Sequence, residues 1–98
     1  MAESLITDAM VAEFKAHMHI THSREDPYLR GLLETSAAAV MAITNDKDLT
    51  DKRVIELVYQ RARYAYNDQL EWFDANFQSM LMNLAIEHYE GVPDQDNE

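Results

Sequence analysis

The chain has 98 residues, of which 47% are apolar and 27% charged, and it carries a formal net charge of −10. This length sets the expectation of one domain over residues 1–98 with one compact core, and it excludes a multidomain enzyme. Two glycines and two prolines are too few for an all-β protein, which needs a turn about every 8–12 residues. The absence of cysteine excludes a disulfide framework and Cys-ligated zinc.

Long stretches rich in Ala, Leu and Met without breakers predict an all-α domain of about four helices, with a helical core over about 8–90. The first helix is predicted over 8–18, capped by Thr7, with Met10, Val11, Phe14 and Met18 on one face. HITHS then reads as a connector. Ser23 is the expected cap of the second helix, with Asp26 in its first turn and Pro27 tolerated there. Its apolar face runs through Leu29, Leu32, Leu33, Ser36, Ala37, Val40 and Met41 to about Ile43. Gly31 inside it suggests a close helix approach.

The cluster Asn45-Asp46-Lys47-Asp48 predicts a turn. Thr50 is placed to cap the third helix, with Leu49 and Val54 as its hydrophobic staple. That helix is expected from Asp51 towards Tyr66, with Val54, Ile55, Val58, Ala62 and Ala65 inside. Asn67-Asp68 marks a break. The last helix is predicted over 75–90, its stripe being Phe77, Met80, Leu81, Leu84 and His88 or Tyr89. Gly91 and Pro93 stop it, and 91–98 is an acidic, mobile tail.

The N-terminus lacks the basic-then-apolar pattern of a secretion signal, and the longest apolar run, Ala37–Ile43, is far too short to span a bilayer. The expected protein is soluble and remains in the cell that makes it. All eight basic residues lie at or before Arg63, whereas Asp68 to Glu98 contains eight acids and no Lys or Arg. Tight binding to nucleic acid needs the opposite sign.

Catalytic signals are weak. His17, His19 and His22 lie near Glu25 and Asp26, and imidazole with carboxylate suits Zn²⁺ or Ni²⁺. Their spacing straddles a helix end, however, and does not force the rings to converge, so connector histidines are the simpler reading. There is no Gly-x-Ser-x-Gly and no Gly-rich phosphate loop. No catalytic, cofactor or metal residue is assigned, and no enzyme is expected. The aromatics are more informative, because six of the nine lie between 59 and 77. Tyr, Trp and Arg in one segment have the composition of interface hot spots. Tyr59, Arg63, Tyr66, Trp72, Phe73, Glu87 and Glu90 are therefore candidate interface residues. For Trp72, Phe73 and at least one Tyr the core is an equal alternative, and for Phe77 the core is preferred.

FKAHMHITHSREDPYLRGLLETSAAAV resembles the opening of the small head–tail connector (adaptor, head-completion) proteins of long-tailed bacteriophages. Lys15, Met18, His19 and Ile20 fit the end of their short helix. Glu25 and Asp26 open the long one, which continues through Leu29, Leu32, Leu33, Ala37 and Ala38. RARYAYNDQLEWFDANFQSMLMNLAIEHYE is similar to the C-terminal half of connectors from phages of Gram-positive hosts. The resemblance covers about residues 10–90. His19 stands where Arg is usual, and Thr21-His22 where acids are common.

The resemblance implies a virion neck protein, made in the bacterial host cytoplasm. It implies a homo-oligomeric ring, commonly a dodecamer, that docks under the portal and bears the head-completion (stopper) or tail-terminator protein. Genome DNA would pass through without specific binding, and no cofactor, metal or membrane is implied. The basic third helix and the acid-only C-terminal part offer two complementary faces for such a ring. Charge alone equally suits a different class, an acidic helical regulator such as a DNA mimic.

Overall fold

A computed structural model of the chain describes residues 5–89. The described residues contain four α-helices and no strand: α1 Asp8–Met18, α2 Asp26–Thr44, α3 Lys52–Tyr66 and α4 Phe73–Glu87. A short 3₁₀ turn, Leu70–Trp72, leads into α4. α4 ends at Glu87, with His88 as its cap, short of the expected residue 90; Gly91, Pro93 and the tail lie outside the described residues.

Local chemistry explains where the helices start and end. Thr7 Oγ1 accepts from the Met10 amide at 3.1 Å, and the Thr7 amide donates back to Met10 Sδ at 3.4 Å. Sulfur here occupies the usual carboxylate position of a capping box. At the other end of α1, His19 adopts a left-handed conformation (φ 61°). Its amide and that of Ile20 donate to Ala16 and Lys15, which satisfies two terminal carbonyls. The end of α3 repeats the device. Asp68 is left-handed (φ 58°), and the Asp68 and Gln69 amides donate to Ala65 and Tyr64.

Two expected caps shift. Glu25, not Ser23, precedes α2, and it makes no side-chain cap bond. Ser23 contributes only its carbonyl, which accepts from the Asp26 amide at 3.3 Å. Asp51, not Thr50, caps α3, accepting from the Arg53 amide at 2.9 Å. The Thr50 hydroxyl instead donates to Asp48. The turn between α2 and α3 is organised by buried Asp46, whose Oδ1 accepts the amides of Asp48 and Leu49, each at 3.1 Å.

The core lies between α2 and α3, the most extensive helix pair, and is closed by α1 and α4. Leu29, Leu33 and Val40 of α2 meet Val54, Leu57, Val58 and Ala62 of α3, all fully buried. Phe14 enters from α1, and Phe73, Leu81 and Leu84 from α4. Three sequence expectations change. α4 begins at Phe73 rather than residue 75, directly after the 3₁₀ turn, and so takes buried Phe73 into its core stripe. Met80 faces solvent rather than the core. Gly31 adjoins no close helix, since a Cβ built on it meets nothing within 4 Å.

Phe73→Ala should therefore cost about 3–5 kcal/mol of folding stability in urea titration, whereas Trp72→Ala, at a residue 57% exposed, should cost well under half of that. Gly31→Ala should stabilise by about 0.5–1 kcal/mol, because it removes backbone freedom at an open helix-interior position.

Candidate assembly surface

The aromatic segment divides into an inner and an outer set. Tyr59 is interior, at 4% exposure. Its ring stacks on Phe14 and meets His17 edge-on, and its hydroxyl donates to Glu13 Oε1 at 2.6 Å. Burial, then the Glu13 carboxylate, pushes its phenol well above the ordinary tyrosine range. Phe73 is also interior, at 1% exposure. It stacks on Phe77 with ring centroids 5.0 Å apart and meets Tyr64 edge-on at 5.9 Å. Both residues attach helices to this chain's own core and present no free ring to a partner. Phe77 packs against the core, as expected.

Tyr66, Arg63 and Trp72 look outward to different degrees. Tyr66 is half-buried and donates to Glu25 Oε1 at 2.8 Å, which ties the end of α3 to the start of α2. That bond is the main reason its phenol is raised. Exposed Tyr28 flanks it, with centroids 6.3 Å apart. Arg63 is exposed; it donates to Gln60 and lies 5.4 Å above the Tyr64 ring. Trp72 is exposed beside exposed Leu70.

Glu87 belongs to a clasp. Arg53 donates to both Glu87 oxygens, at 2.7 and 3.0 Å, and to both oxygens of Asp51, at 2.8 and 3.1 Å. His88 Nε2 donates to Asp51 Oδ2 at 2.9 Å. The guanidinium thus locks the end of α4 to the start of α3. Its hydrogen bonds hold the Asp51 carboxyl well below the usual carboxylate range and lower Glu87 as well. Glu90 lies outside the described residues.

The basic third helix is only partly available to a partner. Arg53 is held in the clasp, and Arg61 donates to buried Ser36 at 3.3 Å. Lys52 and Arg63 remain exposed. The histidines do separate work: His17 meets Tyr59, His19 ends α1, and His22 Nδ1 accepts from the Arg24 amide. Among the described residues no group of His, Asp and Glu is arranged to hold a metal, and no helix is long and apolar enough to cross a membrane.

Sequence reading missed one outward feature. Ile43, Met82, Ile86 and Tyr89 are all exposed, with Ile86 70% open. The available signal was the absence of any ionisable residue from Ala75 to Ile86.

Among the described residues these features make an all-helical module with exposed aromatic and aliphatic side chains. The sequence profile of the phage gp6-like head-tail connector proteins matches residues 8–97, and the chain belongs to that family of virion components. No curated protein and no solved structure matches it.

The clasp predicts a direction for acid sensitivity. Carboxyls lowered in the folded state stabilise it above their unfolded values of ~4, and that contribution is lost as pH falls through the lower folded values. The urea midpoint should therefore fall below about pH 4 more steeply for the native chain than for Arg53→Ala, which has no clasp to lose.

Proposed function

We propose that the chain is a phage neck protein that assembles into a closed ring of about twelve copies, docks beneath the portal and bears the next neck protein, the stopper or tail terminator. The DNA channel continues through its bore. Membership of the connector family over residues 8–97 carries this reading. Exposed Trp72 and Leu70, with Tyr28 and Tyr66 at another corner, supply the large rigid side chains on which interfaces depend. Lys52 and Arg63 on one side, and the acids after Asp68 on the other, supply the unlike charges of a head-to-tail contact.

The acid excess also suits a conduit. A bore lined with Lys and Arg would grip phosphates and stall the genome. Salt screens charges beyond roughly 8–10 Å, so only acids close to the DNA repel it, and their placement outweighs the total. A ring structure whose narrowest bore is lined by Lys52, Arg61 or Arg63 would overturn this part of the reading.

The test of the whole is assembly. Electron microscopy of the purified protein mixed with portal should show rings seated on portal. Only monomer or symmetric dimer in light scattering, with portal present, would refute the ring and favour an acidic regulator that mimics DNA. Trp72→Ala should weaken assembly by about 30-fold or more, the equivalent of about 2 kcal/mol at an interface hot spot, while leaving the thermal melt nearly unchanged.

A further inference from the structure

The core stripe of α4 stops short of the helix end. Phe73, Phe77, Leu81 and Leu84 pack inward, but among the described residues after Leu84 none is buried and none joins the core cluster. Ile86 and Tyr89, the large apolar side chains there, are 70% and 58% exposed. The last turn, from Ala85 to Tyr89, is therefore attached to the rest of the fold chiefly through polar contacts. Asn45 Nδ2 donates to the Ala85 carbonyl at 3.0 Å, Arg53 donates to both oxygens of Glu87, and His88 Nε2 donates to Asp51 at 2.9 Å.

The two halves of the clasp differ in how firmly they are set. The Asp51 side chain is 15% exposed, caps α3 and takes the Nε and Nη2 donors of Arg53. Glu87 takes Nη1 and Nη2 from the other side, and in this pair the Arg53 and Glu87 side chains are 54% and 52% exposed. Water and salt therefore reach the bond between the helices, while the bond within α3 is sheltered. The clasp has a fixed half on α3 and a removable half on α4.

We propose that the last turn of α4 is an ionically latched strap. It opens from the start of α3 while the Phe73–Leu84 part of the helix stays packed, and the Arg53–Glu87 pair sets how often it does so. A segment with few buried apolar contacts and solvent-exposed polar bonds opens at a lower free energy than the whole domain. An unpartnered helix end simply frays, whereas a bidentate guanidinium–carboxylate pair makes the closed form the resting one. Salt screens that pair, so rising ionic strength opens the strap without unfolding the core. In the open form Asp51 keeps the guanidinium aimed, and the Arg53 donors that served Glu87 are free for a carboxylate of another molecule. Glu87 thus covers Arg53 from within the chain until the strap lifts.

Amide hydrogen exchange followed by NMR on the full chain tests it. At low salt the Glu87 and His88 amides should be protected, yet exchange faster than the Leu81 amide. Raising sodium chloride to about 1 M, where the screening length is about 3 Å, should cut their protection at least threefold and leave Leu81 unchanged. Glu87→Gln, a neutral isostere at an exposed position, should show that loss already at low salt and respond no further to added salt. Arg53→Ala should behave alike, whereas Arg24→Ala, which removes the same charge outside the clasp, should match the native chain. Glu87 and His88 amides that exchange at the Leu81 rate would mean that the turn opens only with the whole fold, and would overturn the proposal. Amides already unprotected at low salt would show that nothing latches the turn. A salt response that survives Glu87→Gln would show that the pair is not the latch, and is equally fatal.

Discussion

Everything in this small fold depends on burying α3 from several sides at once. Val54, Leu57, Val58, Tyr59 and Ala62 cover more than one stripe of the helix, so no single neighbour can enclose it. α2 covers the largest part. α4 and the 3₁₀ turn cover another, and Tyr59 brings in α1 through Phe14 and Glu13. A chain of this size has little core to spare. Polar bonds also leave α3 on several sides: Tyr59 to Glu13 in α1, Tyr66 to Glu25 at the start of α2, Arg61 to Ser36 in α2 and Arg53 to Glu87 in α4.

The charge distribution follows from that arrangement. Most of the arginines on and around α3 are spent inside the chain, on Asp51 and Glu87, on Ser36, and, from α2, on Asp8 and the Ile6 carbonyl. These pairs engage acids as well as arginines, so the chain keeps the acid excess of its sequence. Against that background, the stretch of α4 from Ala75 to Ile86 stands out because it carries no ionisable side chain. Family membership makes the chain a phage head-tail connector protein.

The helices were legible because their signals are local. Thr7 just before the first helix, the Asn45–Asp48 cluster and the 3–4 spacing of apolar residues all act within a turn or two of chain. What failed was longer in range or finer in register. Ser23 and Thr50 are good capping types, but the backbone places Glu25 and Asp51 at the caps. Trp72 and Phe73 are adjacent and compositionally alike, yet one is open and the other sealed. The difference was encoded, since Phe73, Phe77, Leu81 and Leu84 form one stripe. Starting the helix at residue 75 concealed its first member. Tyr59 looked outward because it was grouped with Arg63 and Tyr66, and only the position of Phe14 shows that its ring lies inside.

The connections between helices have a mechanical consequence. Each contains at least one left-handed residue, and none of these is glycine: His19, Asn45, Leu49 and Asp68 have φ between 57° and 65°. Asn and Asp tolerate that conformation, but it costs His19 and Leu49 about 1 kcal/mol or more, so those joints are held by the packing and hydrogen bonds around them. Tilt errors add up around a ring, and a subunit with loose joints would give open or spiral assemblies as readily as closed ones. In the ring proposed above, stiff joints would fix the angle between neighbouring copies, and that angle would set their number.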